Sequence, residues 1–259
     1  MTTTTLPVRL VNRLIRDLPR RERNRILKCC TPVELVSGTI LCEPDQPFRH
    51  VYFPITGFIS LVTTLGDHQP LEMGLIGNEG MLGVTVALGF NVAPMSAVVR
   101  GAGTALRMTA TQLQLELRNS PRLLHLLNRY LYVLIKQFAQ TSACTNFHEI
   151  EARLAHWLLL AHDRAQADHV HLTHELLANM LGVRRSGITI AAGTLQKRKL
   201  ICYTRGEISI IDRKGLEAMS CKCYGAVIDD YERLFSQEPV GLSALRNLPS
   251  PVRWTIQSI

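Results

Sequence analysis

The chain has 259 residues, 46% of them hydrophobic and 19% charged, with a formal net charge of +8. That balance is too apolar for a disordered chain, and no apolar run is long enough to span a bilayer, so disorder and a membrane role are both excluded. Charge is segmental, at +6 over residues 6–28, −3 over 31–118 and +4 over 150–215, so a polyanion would be held by the basic ends and not by the acidic middle.

Residues 1–30 carry Arg13, Arg16, Arg20, Arg21, Arg23, Arg25 and Lys28 above Leu14, Ile15, Leu18, Ile26 and Leu27, which predicts a helical segment with a solvated basic face. No apolar stretch follows these charges, so no secretory leader is expected and the cytoplasm is the expected compartment. Seven cysteines, an odd number spread along the chain, fit reduced thiols better than a disulfide framework.

Residues 31–118 read as short apolar runs, among them His50 to Phe53, Phe58 to Leu65, Leu71 to Ile76, Ala97 to Val99 and Thr104 to Met108. Glycines punctuate them, as in an antiparallel sandwich or barrel, and Gly66-Asp67 suits a hairpin tip.

At Ser120-Pro121 the period changes, because serine caps a helix and proline suits its first turn. Residues 119–147 then form one long helix. Leu124, Leu127, Leu131, Leu134 and Phe138 recur at the spacing of a dimerisation seam, while Leu123, Leu126, Tyr130 and Val133 form a second face that would lie on the β-domain. A further helix runs from Ile150 to about Arg164, and residues 165–169 read as a turn.

The run Leu172 to Leu200 carries the function. Thr173 caps a helix whose buried side is Leu176, Leu177 and Met180; Ala178 lets two helices cross closely; Gly182 permits the tight turn; Val183, Ile188 and Ala191 anchor a second helix. This is helix-turn-helix spacing. The outward face bears Arg184, Arg185, Ser186 and Thr189, with Lys197, Arg198 and Lys199 at its end, and Leu200 to Ile211 supplies a β-hairpin wing around Arg205-Gly206. Arginine donates twice to guanine in the major groove, so Arg185 is the leading base reader, while His174, Arg184, Ser186, Gly187 and Thr189 would position the backbone.

This order of segments resembles the Crp–Fnr superfamily of bacterial transcription regulators, over roughly Pro19 to Leu216, with its strongest motif at Leu172 to Ile211. The resemblance implies an α+β fold: an N-terminal antiparallel, jelly-roll-like β-roll (31–118), a dimerisation helix (119–147), a C-terminal winged helix-turn-helix (148–216), and a C-terminal helix and tail (217–259). It also implies double-stranded DNA and RNA polymerase as partners, in a homodimer. Aligned with the cyclic-AMP-binding branch, Val84 and Met95 stand where an anchoring glutamate and arginine belong, so tight cyclic-AMP binding is not expected. A later base-reading arginine of the family falls at Ile190.

No cofactor is predicted, and the alternatives are an iron–sulfur cluster near Cys29, Cys30 and Cys42 or a haem at His50 or His68. Cys221 and Cys223 read as two ordinary thiols of a terminal segment, with metal binding or a redox switch as the sharper option. His162, His169, His171 and His174 match no zinc signature. No metal site is expected, and catalysis has no support, because no nucleophile–base pair, phosphate loop or carboxylate pair appears.

Overall fold

The computed structural model describes residues 12–66, 69–165, 169–204 and 206–236. Two short helices, α1 (Arg13–Arg16) and α2 (Arg20–Cys29), precede a sheet of β1 (Thr31–Leu35), β2 (Ile40–Cys42), β3 (His50–Thr63), β4 (Leu71–Ile76) and β5 (Ser96–Thr109). Helices α3 (Ala110–Asn119), α4 (Pro121–Phe147) and α5 (Ile150–Ala165) follow. The head then adds β6 (His169–His171), α6 (His174–Leu181), α7 (Arg185–Lys197), β7 (Ile201–Thr204), β8 (Glu207–Ile210) and α8 (Arg213–Met219), before α9 (Cys223–Ser236).

The five-stranded sheet runs β1-β5-β3-β4, with β2 also on β5 and every pairing antiparallel. The separate runs expected at His50 to Phe53 and Phe58 to Leu65 are one continuous β3, and those at Ala97 and Thr104 are one β5. Bulges between Pro54 and Ile59 bend the ladder without ending it. Glycine permits this, since a Cβ on Gly57 would stand 2.4 Å from the Gly101 carbonyl oxygen and one on Gly103 2.3 Å from that of Thr56. The glycines therefore bend strands here instead of separating them.

Among the described residues of the basic segment, Leu14, Ile15, Leu18 and Ile26 are buried, Leu27 packs partly buried against the same core, and the Asn12 amide donates to the carbonyls of Pro54 and Gly80. Ser120 caps α4, accepting from the Leu123 N–H at 3.1 Å, with Pro121 in the first turn. Leu123, Leu126, Tyr130 and Val133 bury against the roll as their spacing predicts. Tyr130 fits because residue 80 is glycine, where a Cβ would lie 2.2 Å from the phenol oxygen.

The expected seam is partly covered within one chain, while Leu124 stays half-exposed. Leu127 and Leu134 lie in the chain's own core, and Leu131 and Phe138 pack against it, because the roll covers a wider arc of α4 than one apolar stripe. The open apolar face is displaced by one residue, to Tyr132 (64% exposed) and Ile135 (57%). Helix α9 is also firmly held, with Val227, Tyr231 and Leu234 buried in the same core and Lys136 paired with Asp230. The tail beyond it, including Trp254, lies outside the described residues, as do Asp67 and His68. No described helix is long and apolar enough to cross a membrane.

The head docks on the roll. Phe58 and Leu75 of the sheet share a core with Trp157, Leu177, Ile188 and Leu195, and the Phe58 and Trp157 rings meet edge-on at 6.2 Å. The Trp157 indole donates to Glu72 at 2.5 Å, and Arg164 pairs with Glu79 at 2.6 Å.

Candidate nucleic-acid interface

Thr173 opens α6 by accepting from the Leu176 N–H at 3.2 Å, so its hydroxyl is committed to the cap. Gly182 ends the helix at φ +63°, a left-handed conformation that glycine takes without steric cost, and the Val183 N–H closes back on the Ala178 carbonyl at 2.9 Å. The chain then re-enters a helix at Arg184, the N-cap of α7. Ile188, Ala191, Ala192 and Leu195 bury one side of α7. The period of 3.6 residues turns the opposite side outward.

That outward side is Arg185, Ser186, Thr189, Ile190 (66% exposed) and Lys197, with Arg184 exposed just before it. Gly187 faces Ile150 of α5, whose Cδ1 would lie 3.1 Å from an added Cβ, so glycine lets the two helices pack closely there. Arg185 stands 3.9 Å from Glu175, and both side chains are mostly solvated, so the pair holds the guanidinium weakly. Arg205 lies outside the described residues.

His174 is partly enclosed. Its ring stacks on Tyr203 with centroids 4.3 Å apart, and its Nδ1 lies 3.1 Å from the Thr189 hydroxyl. Burial, and then the Arg185 charge, pull its pKa below the usual value, which favours the neutral ring at physiological pH. Tyr203 and Gln196 also belong to this surface, and the Gln196 side-chain oxygen accepts the Tyr203 N–H at 3.0 Å. Polar side chains at the end of a basic helix carry little signal. β7 and β8 pair as the wing, and β6 extends it to three strands.

Two cavities flank α4. One of about 60 Å³ is lined by Phe48, Met81, Val84, Met95, Leu131 and Phe138, with no cation among its lining residues. The other, of about 70 Å³, lies where roll, α4, α5 and α9 meet, and its lining includes Glu72, Gln137, Cys144, Arg153 and Trp157. Among the described residues Cys29, Cys30 and Cys42 join no group of metal-binding side chains. Burial pushes Cys30 up to about 12 and Cys42 up to about 11, so both remain protonated thiols.

A roll feeding a long helix and a helix-turn-helix head with a wing defines a DNA-binding transcription regulator. Residues 32–120 match the family model of the cyclic nucleotide-binding domain and residues 152–219 that of the Crp-like helix-turn-helix domain, together well over half of the chain. The chain belongs to the Crp–Fnr family of transcriptional regulators, which are not enzymes. None of the curated proteins matches it in sequence. Its fold is similar to that of FixK2 from Bradyrhizobium japonicum, at 14% identity and a TM-score of 0.63 over 74% of this chain and 98% of that one. It is also similar to a putative regulator of the same family from Eubacterium rectale, at 17% identity and 0.61 over 80% and 96%. A third is the c-di-GMP-responsive regulator CLP of Xanthomonas campestris, at 16% and 0.60 over 74% and 99%.

Proposed function

We propose that the chain is a homodimeric, sequence-specific reader of double-stranded DNA that inserts α7 into the major groove. The observation that carries this reading is the exposure of Arg185, Ser186, Thr189 and Ile190 on one side of a helix whose other side is locked by Ile188, Ala191 and Leu195. Arg185 reads a base edge, Ile190 offers an apolar contact suited to a thymine methyl, and Arg184, Ser186, Thr189 and Lys197 meet phosphates or bases. Thr173 and His174 hold the helix in place.

Two copies join through the open face of α4 at Tyr132 and Ile135, and two-fold symmetry sets the target as a pseudo-palindrome read in adjacent major grooves. RNA polymerase is the partner that this family implies. Cyclic AMP is not the effector: the cavity beside Val84 and Met95 is apolar and offers a phosphate no cation.

The test is selection of the reduced full chain on randomised duplex DNA, repeated with Arg185→Ala. The expected result is a two-fold site whose discrimination falls by about 1–3 kcal/mol in the variant. Failure to enrich any symmetric site, or an unchanged preference in the variant, overturns the reading.

A further inference from the structure

Cys144 sits in the last turn of α4, and His148 follows one turn later as its C-cap, donating its N–H to the Cys144 carbonyl at 3.1 Å. Cys221 and Cys223 flank the start of α9. These residues lie more than seventy positions apart in sequence, yet the Cys144 and Cys221 sulfurs are 3.6 Å apart and the Cys223 sulfur is 3.5 Å from His148 Nδ1. All four donor atoms lie within 4.8 Å of one another, and the three cysteines are buried in a small core of their own.

A tetrahedral zinc ion with bonds of about 2.3 Å to sulfur and about 2.0 Å to nitrogen sets its ligands about 3.8 Å apart for two thiolates and about 3.5 Å for thiolate and imidazole. The Cys144–Cys221 and Cys223–His148 separations already match those edges, and the remaining donor pairs, all within 4.8 Å, need to close by about 1 Å at most. A cubane cluster would hold four donors further apart, since each iron takes its own thiolate. A disulfide would use two of the sulfurs and leave the histidine without a part.

We infer that Cys144, His148, Cys221 and Cys223 form a closed Cys3His site for a single zinc ion. Three thiolates and a neutral imidazole around the ion leave one net negative charge. Arg153, buried and lining the same cavity as Cys144, reaches the Thr145 hydroxyl next to it at 3.4 Å and is placed to supply the countercharge. His156, with Nδ1 3.6 Å from the Cys221 sulfur, is placed to donate to that thiolate, and Gln140 donates to the Cys223 sulfur at 2.9 Å. Such outer donors orient metal ligands. The ion would tie the end of α4 to the start of α9 at the break where α5 departs toward the head, so its presence fixes how the head is carried.

The test is metal content and cobalt substitution of the full chain, with no DNA present. About one zinc per chain is expected by elemental mass spectrometry. Titration of reduced apo-protein with Co²⁺ should give the visible bands of tetrahedral cobalt and a near-ultraviolet thiolate charge-transfer band. Cys144→Ser and Cys223→Ser should lose both, whereas His148→Cys should keep the metal and intensify the charge-transfer band. Circular dichroism of each apo variant separates loss of the site from loss of the fold. A wild-type chain that binds no cobalt with thiolate charge transfer, or a Cys144→Ser/Cys223→Ser double variant whose bands are unchanged, overturns the inference.

Discussion

Arg164 and Glu79 form an enclosed ion pair, 2.6 Å between Nε and Oε1, that joins the helix leading into the DNA-binding head to the loop after β4 of the roll. Burial pulls the guanidinium pKa down, and the charges and hydrogen bonds of Glu79 and Tyr231 together more than reverse that. The head is therefore oriented by electrostatics as well as by the apolar contact of Phe58 with Trp157.

Removing one member of this pair should be worse than removing both. Glu79→Ala leaves a buried cation unpaired and should cost about 3–5 kcal/mol of stability, whereas Glu79→Leu/Arg164→Met should recover most of it. Equilibrium denaturation of the three proteins measures this. A single variant as stable as wild type would mean that water reaches Arg164.

Glu72 makes stability depend on pH. It is buried, and burial pushes its carboxyl up to about 7 against the hydrogen bonds from Ser60 at 2.6 Å and Trp157 at 2.5 Å. The folded state thus holds this proton more tightly than the unfolded chain, so the contribution of Glu72 is full below about pH 4.5 and is lost as pH rises toward about 7, on the order of 3 kcal/mol in all. Glu72→Gln removes the ionisation while the Ser60 hydroxyl reverses to accept. Thermal melts between pH 5 and 8 should show a slope in wild type that flattens in the variant; parallel curves would sink the assignment.

On α7, neighbours two residues apart should behave oppositely. Ile188→Ala opens a cavity in the head and should cost about 2–5 kcal/mol. Ile190→Ala sits on the exposed face and should change stability by less than about 0.5 kcal/mol while altering the preferred DNA sequence. Chemical denaturation and DNA selection on both variants read out the contrast. An Ile190→Ala protein with unaltered preference would remove that residue from the base-reading set.

The open face of α4 gives the last expectation. Ile135→Glu places a charge at the centre of the proposed dimer contact and should yield a folded monomer by light scattering, with no loss of thermal stability in the monomeric unit. Leu127→Glu instead buries a charge in the roll and should unfold it. If Ile135→Glu remains dimeric, the copies join elsewhere.

Much of the head was readable in sequence because its signals are local. The Thr173 cap, the left-handed Gly182 and the anchors Ile188 and Ala191 lie within nineteen residues, and each is dictated by its neighbours. The long helix was equally clear from Ser120-Pro121. Its seam was not, because two apolar stripes one residue apart have the same period, and which of them meets solvent depends on how far the roll reaches around them. The strand count erred similarly: glycine marks both a strand end and a bend, and only the β3–β5 pairing distinguishes them.

Local rules carry the helix-turn-helix, its wing and the start of the long helix, since helix period, capping and turn chemistry act over a few residues. Packing of the whole chain is what brings Glu72 to Trp157, Glu79 to Arg164, and Cys144 and His148 beside Cys221 and Cys223. Such meetings join residues more than seventy positions apart, and they follow from which surfaces pack, a choice made by the whole apolar core and written in no short stretch of chain.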